Sequence, residues 1–111
     1  MLDNSQDLAS TVIGTPYYMA PELFKYKSYS YKSDIWSFGI ILYEMCNLRR
    51  PFEAQSYQGL AVKILKGTYP SITPTYSKQL RDLIISMLSY KPNHRPSIVD
   101  ILNKGFLRKR L

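Results

Sequence analysis

The sequence predicts an all-α domain. Several segments carry helical signals, and no segment alternates apolar and polar residues with the period of two that a half-buried strand needs. The clearest signal follows Ser77, where apolar residues recur with helical spacing at positions 80, 83, 84, 87 and 88. At 111 residues the chain has the length of one domain rather than two.

The first half of the chain predicts a loop and two helices. Residues 1–13 are mostly polar and show no periodicity, and Pro21 then suits the first position of a short helix through Phe24. Ser33 or Asp34 can cap a longer helix that runs to about Cys46. The apolar residues of this second helix cover every face, which predicts that it is buried on all sides at the centre of the fold.

The second half predicts three more helices with recognisable ends. A helix near 57–66 stops at Gly67, and the amphipathic helix after Ser77 stops before Pro92. Ser97 and Asp100 have the spacing of a capping box and predict the start of a last helix, which Gly105 closes.

Composition narrows the classes of function. The net charge is +7, but most of the basic residues are scattered, which favours a solvated surface over nucleic-acid binding; a polyanion-binding domain is the weaker alternative.

The single cysteine, Cys46, excludes a disulfide framework and is expected to be an inert buried thiol. The lone His94 is expected at the surface, with no metal site. The longest apolar run, Ile40–Tyr43, is too short to span a bilayer, so a cytoplasmic protein without membrane contact is expected.

Three motifs resemble the C-terminal lobe of protein kinases. They are Gly-Thr-Pro-Tyr-Tyr-Met-Ala-Pro-Glu at 14–22, Ser-Asp-Ile-Trp-Ser-Phe-Gly at 33–39 and His-Arg-Pro at 94–96. The first is similar to the end of an activation segment. With Pro-Phe-Glu-Ala at 51–54 and Ile-Leu-Asn-Lys-Gly-Phe at 101–106, the resemblance is closest to NIMA-related serine/threonine kinases and covers roughly residues 8–111.

The resemblance implies a partial kinase domain over residues 1–111. Residues 1–22 would be the activation segment, 33–46 the central helix and 56–104 the late helices of the lobe. The parent kinase would use ATP and Mg²⁺ to phosphorylate serine or threonine of a protein substrate. The sequence contains no His-Arg-Asp, Asp-Phe-Gly or Gly-x-Gly-x-x-Gly motif. We therefore expect no catalytic, ATP-binding or metal residue in this chain, and no activity from it alone.

The resemblance also assigns roles near the substrate. Thr15 matches the threonine that hydrogen-bonds the catalytic aspartate, and Tyr17, Tyr18 and Met19 would line the pocket for the residue after the acceptor. Thr11 matches the activating phosphosite, with Ser10 as the second choice. The phosphate would come from an upstream kinase or from self-phosphorylation.

The resemblance also assigns structural roles to several residues. Glu22 and Arg95 match an ion pair that ties the Ala-Pro-Glu segment to the late helices, and Trp36 belongs to the central helix. Asp34 resembles an aspartate that bonds the catalytic-loop backbone, and without that partner it is expected to act only as a helix cap. Because helices that precede the activation segment cover the central helix in kinases, part of its apolar surface, at 36, 38 and 40–43, is expected to lose its cover.

Two readings of the function remain beside the kinase part. One is a truncated interaction module that keeps the substrate-docking helices, and the other is the polyanion binder. Family analogy adds centrosomal, ciliary or nuclear duties to the cytoplasmic expectation.

Overall fold

A computed structural model describes residues 16–108, which form helices joined by short loops. The helices are α1 (Pro21–Phe24), α2 (Tyr31–Asn47), α3 (Tyr57–Lys66), α4 (Lys78–Met87), a 3₁₀ turn (Pro92–His94), α5 (Ile98–Leu102) and α6 (Gly105–Arg108). No strand occurs within residues 16–108, and the all-α prediction is confirmed.

Helix α2 begins earlier than the sequence predicted. Its cap is Ser30, whose side chain accepts a hydrogen bond from the Lys32 amide, while the Ser33 hydroxyl accepts one from the Ser30 amide. The prediction that Ser33 or Asp34 caps this helix is therefore wrong. Ser33 is the inner member of the capping pair, and the Asp34 carboxylate instead accepts a hydrogen bond from the Tyr29 hydroxyl.

Helix α2 is the centre of the core and packs on α4. Gly39 permits the close approach, since a Cβ at this position would lie 3.0 Å from Met87 Cβ and 2.9 Å from Leu88 Cδ2. The main cluster of buried residues joins the segment before α1 to helices α2, α3 and α4: Ala20, Trp36, Ile40, Tyr43, Phe52, Leu60, Ile64, Ile72, Ile84 and Leu88.

The prediction that α2 is buried on every side is wrong within residues 16–108. Phe38, Ile41 and Met45 are 51%, 42% and 64% exposed. They follow one another at i, i+3 and i+7 and form an apolar stripe, because the described helices pack only on the other faces of α2. The expected loss of cover is thus observed at Phe38 and Ile41, while Trp36 and Tyr43 stay buried.

The ends of the later helices mostly follow the sequence. Gly67 stops α3 in the left-handed conformation at φ 74°, and the Ser77 hydroxyl caps α4. The Ser97–Asp100 capping box is present. The prediction that Gly105 closes the last helix is wrong, because α5 ends at Leu102 and Gly105 begins α6. Phe106 of α6 packs against a second apolar cluster, which is formed by the buried residues Ile35, Leu83 and Met87.

Two further classes of feature are absent from residues 16–108. No helix there combines the length and apolarity needed to cross a bilayer. No three histidine, cysteine, aspartate or glutamate side chains converge there as metal ligands.

Candidate functional site

Glu22 and Arg95 form a buried ion pair between α1 and the loop before α5. Arg95 Nη2 donates to Glu22 Oε1 at 2.8 Å and Nη1 donates to Oε2 at 2.9 Å, which gives a two-pronged contact. The Ser33 hydroxyl donates to the same carboxylate at 2.8 Å. Residues 73 positions apart in the chain are therefore locked together, and α2 takes part through Ser33.

Every donor of the Arg95 guanidinium is used. Besides Glu22, it donates to the carbonyl oxygens of Lys32, Ser89 and Tyr90 at 2.8, 2.8 and 3.1 Å. Its Cζ lies 5.1 Å from the Trp36 ring, which is also stacked on Phe52. A fixed guanidinium with all five N–H groups satisfied can be buried without a stranded donor.

The electrostatics of this pair favour the charged form of Glu22. Burial alone raises the pKa of the Glu22 carboxyl, but hydrogen bonds from Arg95, from its own backbone amide and from Ser33 together outweigh burial and lower the pKa. The carboxylate therefore remains ionised at neutral pH and holds its partners.

Tyr17, Tyr18 and Met19 lie on a turn that leads into α1. The Met19 amide donates to the Pro16 carbonyl at 3.2 Å, which closes the turn. Tyr17 and Met19 are half-buried, and Tyr18 is exposed. The three residues assigned to the substrate pocket thus lie together on one turn.

A polar stripe on α2 holds this turn in place. Ser37 Oγ donates to the Tyr18 carbonyl at 2.7 Å, and the Tyr18 hydroxyl donates to both Glu44 oxygens at 3.0 and 3.1 Å. Ser33, Ser37 and Glu44 are spaced by four and seven residues, so they lie on one face of the helix. Tyr18 is therefore fixed at its backbone and at its ring hydroxyl by the same helix.

Arg50, in the loop after α2, contacts the same turn. Its Cζ lies 3.9 Å from the Tyr17 ring centroid, and its Nε lies 3.6 Å from Glu44 Oε1. Ser37, Glu44 and Arg50 were not among the site residues predicted from the sequence. The spacing of Ser33, Ser37 and Glu44 along a mostly apolar helix was the signal that could have indicated the stripe.

The remaining sequence-predicted residues are placed as follows. Ser10, Thr11 and Thr15 lie outside the described residues. His94 is exposed on the 3₁₀ turn. Cys46 is half-buried on α2, and burial raises the pKa of its thiol, which disfavours the reactive thiolate.

The fold and the buried pair define a structural class, a helical lobe that supports an Ala-Pro-Glu segment. A family model described as the protein kinase domain matches residues 1–107. Serine/threonine-protein kinase Nek1 of Mus musculus is 45% identical over 111 residues, which is 100% of this chain and 9% of that protein.

Two other relatives give the same result. Probable serine/threonine-protein kinase nek3 of Dictyostelium discoideum is 51% identical over 112 residues, covering 100% of this chain and 10% of its own length. Serine/threonine-protein kinase Nek5 of Homo sapiens is 46% identical over 107 residues, which cover 96% of this chain and 15% of that protein. The chain belongs to the protein kinase family, in its NIMA-related serine/threonine branch. It spans a small part of the length of each relative.

Proposed function

We propose that this chain is the substrate-side part of the C-terminal lobe of a kinase that transfers the γ-phosphate of ATP to serine or threonine of proteins. The observation that supports it best is the two-pronged Glu22–Arg95 contact, which anchors the end of the Ala-Pro-Glu segment to the late helices. This anchor holds the turn at Tyr17–Met19 where a protein substrate can reach Tyr18, which is 36% exposed.

The kinase family uses ATP and Mg²⁺, and we propose that residues 1–111 by themselves bind neither. The sequence has no glycine-rich phosphate loop, and residues 16–108 bring no cluster of metal-ligating side chains together. The parts that bind nucleotide would therefore come from elsewhere in the kinase. We propose that residues 1–111, produced by themselves, are catalytically silent.

Within this proposal Thr15 supports the catalytic aspartate and Tyr17, Tyr18 and Met19 contact the substrate residue after the acceptor. Thr11 is the activating phosphosite, with Ser10 second, and the phosphate comes from an upstream kinase or from the kinase itself. Cytoplasmic location, with centrosomal, ciliary or nuclear sites as alternatives, belongs to the same proposal and is tested by imaging a tagged chain.

A chimeric kinase tests the function. The part of the Dictyostelium relative's catalytic domain that precedes the position of Leu8 is joined to residues 8–111 of this chain. We expect the chimera to phosphorylate a generic serine/threonine protein substrate and Thr15→Ala to abolish most of that activity. Residues 1–111 alone should show no Mg-ATP binding by calorimetry.

The control is the unmodified catalytic domain of the relative, assayed beside the chimera. A chimera that melts cooperatively at the temperature of this control but phosphorylates nothing would overturn the kinase proposal. A micromolar Mg-ATP site in residues 1–111 would overturn the silence of the isolated chain.

The exposed stripe of Phe38, Ile41 and Met45 favours a second candidate, an interaction module that competes for binding partners of the full kinase. Excess residues 1–111 would then inhibit the parent kinase in an assay with a protein substrate. The absence of inhibition at any concentration would reject this candidate. Within residues 16–108, the polyanion-binding alternative has no comparable structural feature in its support.

A further inference from the structure

Arg50 contacts Tyr17 and Glu44 contacts Tyr18, the two tyrosines of the turn before α1. The Arg50 guanidinium lies over the Tyr17 ring, with 3.9 Å between Cζ and the ring centroid. The Tyr18 hydroxyl donates a bifurcated hydrogen bond to the two oxygens of the Glu44 carboxylate, and Arg50 Nε lies 3.6 Å from Glu44 Oε1. One cation and one anion therefore connect two neighbouring tyrosines to the end of α2.

The environment of the Arg50 guanidinium is one that a cation from another molecule could also occupy. A carboxylate beside an aromatic face attracts arginine and lysine through charge and through the ring quadrupole. Here the cation comes from the chain itself. An arginine of a substrate would have to displace Arg50 before it could use Glu44 and Tyr17.

The contact is within reach of a peptide. The side chains of Arg50 and Glu44 are 41% and 25% exposed, and both line an open cavity of about 310 Å³. Leu48, Arg49 and Glu53 complete the lining. Arg49 and Glu53 carry opposite charges. The electrostatic potential at the Glu44 carboxylate therefore depends chiefly on Arg50, which contacts Glu44.

We propose that Arg50 determines substrate specificity and that, with Glu44, it positions Tyr17 and Tyr18. As an internal cation it neutralises Glu44 and keeps this surface from selecting a basic residue in the protein substrate. The inference rests on the proposed function, because it requires that the turn at Tyr17–Met19 faces the substrate.

The chimeric kinase is assayed on serine peptides that carry arginine, glutamine or glutamate in turn at each position around the acceptor. In Arg50→Ala, we expect the ratio of kcat/KM for arginine over glutamine peptides to rise about fivefold at one position or more, the strength of an exposed ion pair. Adding Glu44→Gln should return the ratio to the wild-type value. In Arg50→Lys, this ratio should remain near the wild-type value, because the positive charge is kept. The matched control Arg49→Ala should leave the ratio unchanged.

A rescue by Glu44→Gln separates a change of specificity from a general loss of structure, because a loss of structure would lower kcat/KM for all peptides together. An unchanged ratio in an active Arg50→Ala enzyme, or a wild-type enzyme that already prefers arginine, would overturn the proposal. Should Arg50→Ala melt earlier than wild type, Arg50→Gln keeps the side-chain stem and gives the same test. A folded chimera that phosphorylates no peptide would instead reject the proposed function, and it would reject this inference as well.

Discussion

At the scale of single residues, the Arg95 side chain is held in place by burial and by hydrogen bonds from its whole guanidinium group. It is 2% exposed, charged, and hydrogen-bonded through all five of its N–H groups to Glu22 and three backbone carbonyls. Such a buried pair contributes little net stability over an apolar replacement of both partners. Removing only one partner is costly, since it strands a buried charge.

We therefore expect Glu22→Gln to lower the free energy of unfolding of the chimeric kinase by about 3–5 kcal/mol. Urea unfolding followed by circular dichroism measures the change. Asp82→Asn is the matched control, because it breaks an exposed pair with Lys78 and should cost less than about 1 kcal/mol. Equal losses in the two variants would contradict the buried-pair interpretation.

The same pair predicts acid sensitivity. Because the pKa of Glu22 is lowered in the folded state, its contribution to stability is complete above the pKa of an unfolded glutamate. The contribution is lost as the pH falls through the lower, folded pKa. Urea midpoints measured from neutral to acidic pH should fall less steeply in Glu22→Gln than in wild type, and parallel curves would show that Glu22 does not contribute to the acid transition.

Thr11 is the proposed activating phosphosite. If a phosphate on Thr11 orders the activation segment, Thr11→Ala in the chimeric kinase should lower activity at least about tenfold, whereas Ser10→Ala should have a smaller effect. Initial rates on a generic protein substrate measure both. Wild-type rates in Thr11→Ala would reject this phosphosite.

At the scale of elements, the packing of α2 on α4 depends on Gly39. An added Cβ would meet Met87 Cβ at 3.0 Å, and that atom is attached to the α4 backbone and cannot move aside easily. Alanine would improve helix propensity by about 1 kcal/mol, but overpacking at this contact costs about 1–3 kcal/mol. The steric term is therefore expected to win.

We expect Gly39→Ala to destabilise the chimeric kinase by up to about 2 kcal/mol, measured by urea unfolding. Gly105→Ala is the control, since no atom lies within 4 Å of the added Cβ and Gly105 has no positive φ. It should be neutral or slightly stabilising. A Gly39→Ala protein as stable as Gly105→Ala would show that the two helices can separate at little cost.

At the scale of the whole molecule, residues 16–108 leave an apolar stripe on their central helix uncovered. Phe38, Ile41 and Met45 occupy one face of α2, and Leu48, which follows the helix, is 88% exposed. A contiguous exposed apolar surface promotes association. The isolated chain should therefore be a poor monomer.

We expect purified residues 1–111 to bind an apolar-surface dye, to form oligomers that grow with concentration and to melt without a sharp transition. Phe38→Ser with Ile41→Ser should reduce dye binding and oligomer size, as measured by fluorescence and light scattering. Val62→Ser is the control, since Val62 is 64% exposed on α3, away from the stripe. A sharply melting monomer without dye binding would contradict the expectation.

The sequence by itself determined the helical class, the family and most helix boundaries. Gly67 stops α3, and Ser77 and Ser97 cap their helices as predicted, because these signals depend on hydrogen bonds to residues at most four positions away. The Glu22–Arg95 pair was also predicted, but only through the resemblance to kinases, since no local pattern joins residues so far apart.

Tertiary structure alone decided the rest. Gly105 begins a helix rather than ending one, because Phe106 packs against the second apolar cluster. Phe38 is exposed although apolar residues lie on every face of its helix. The contacts of Tyr18 with Ser37 and Glu44, and of Tyr17 with Arg50, join residues 19 to 33 positions apart. Local propensity contains no information about such contacts, because they depend on how the turn before α1 lies across α2.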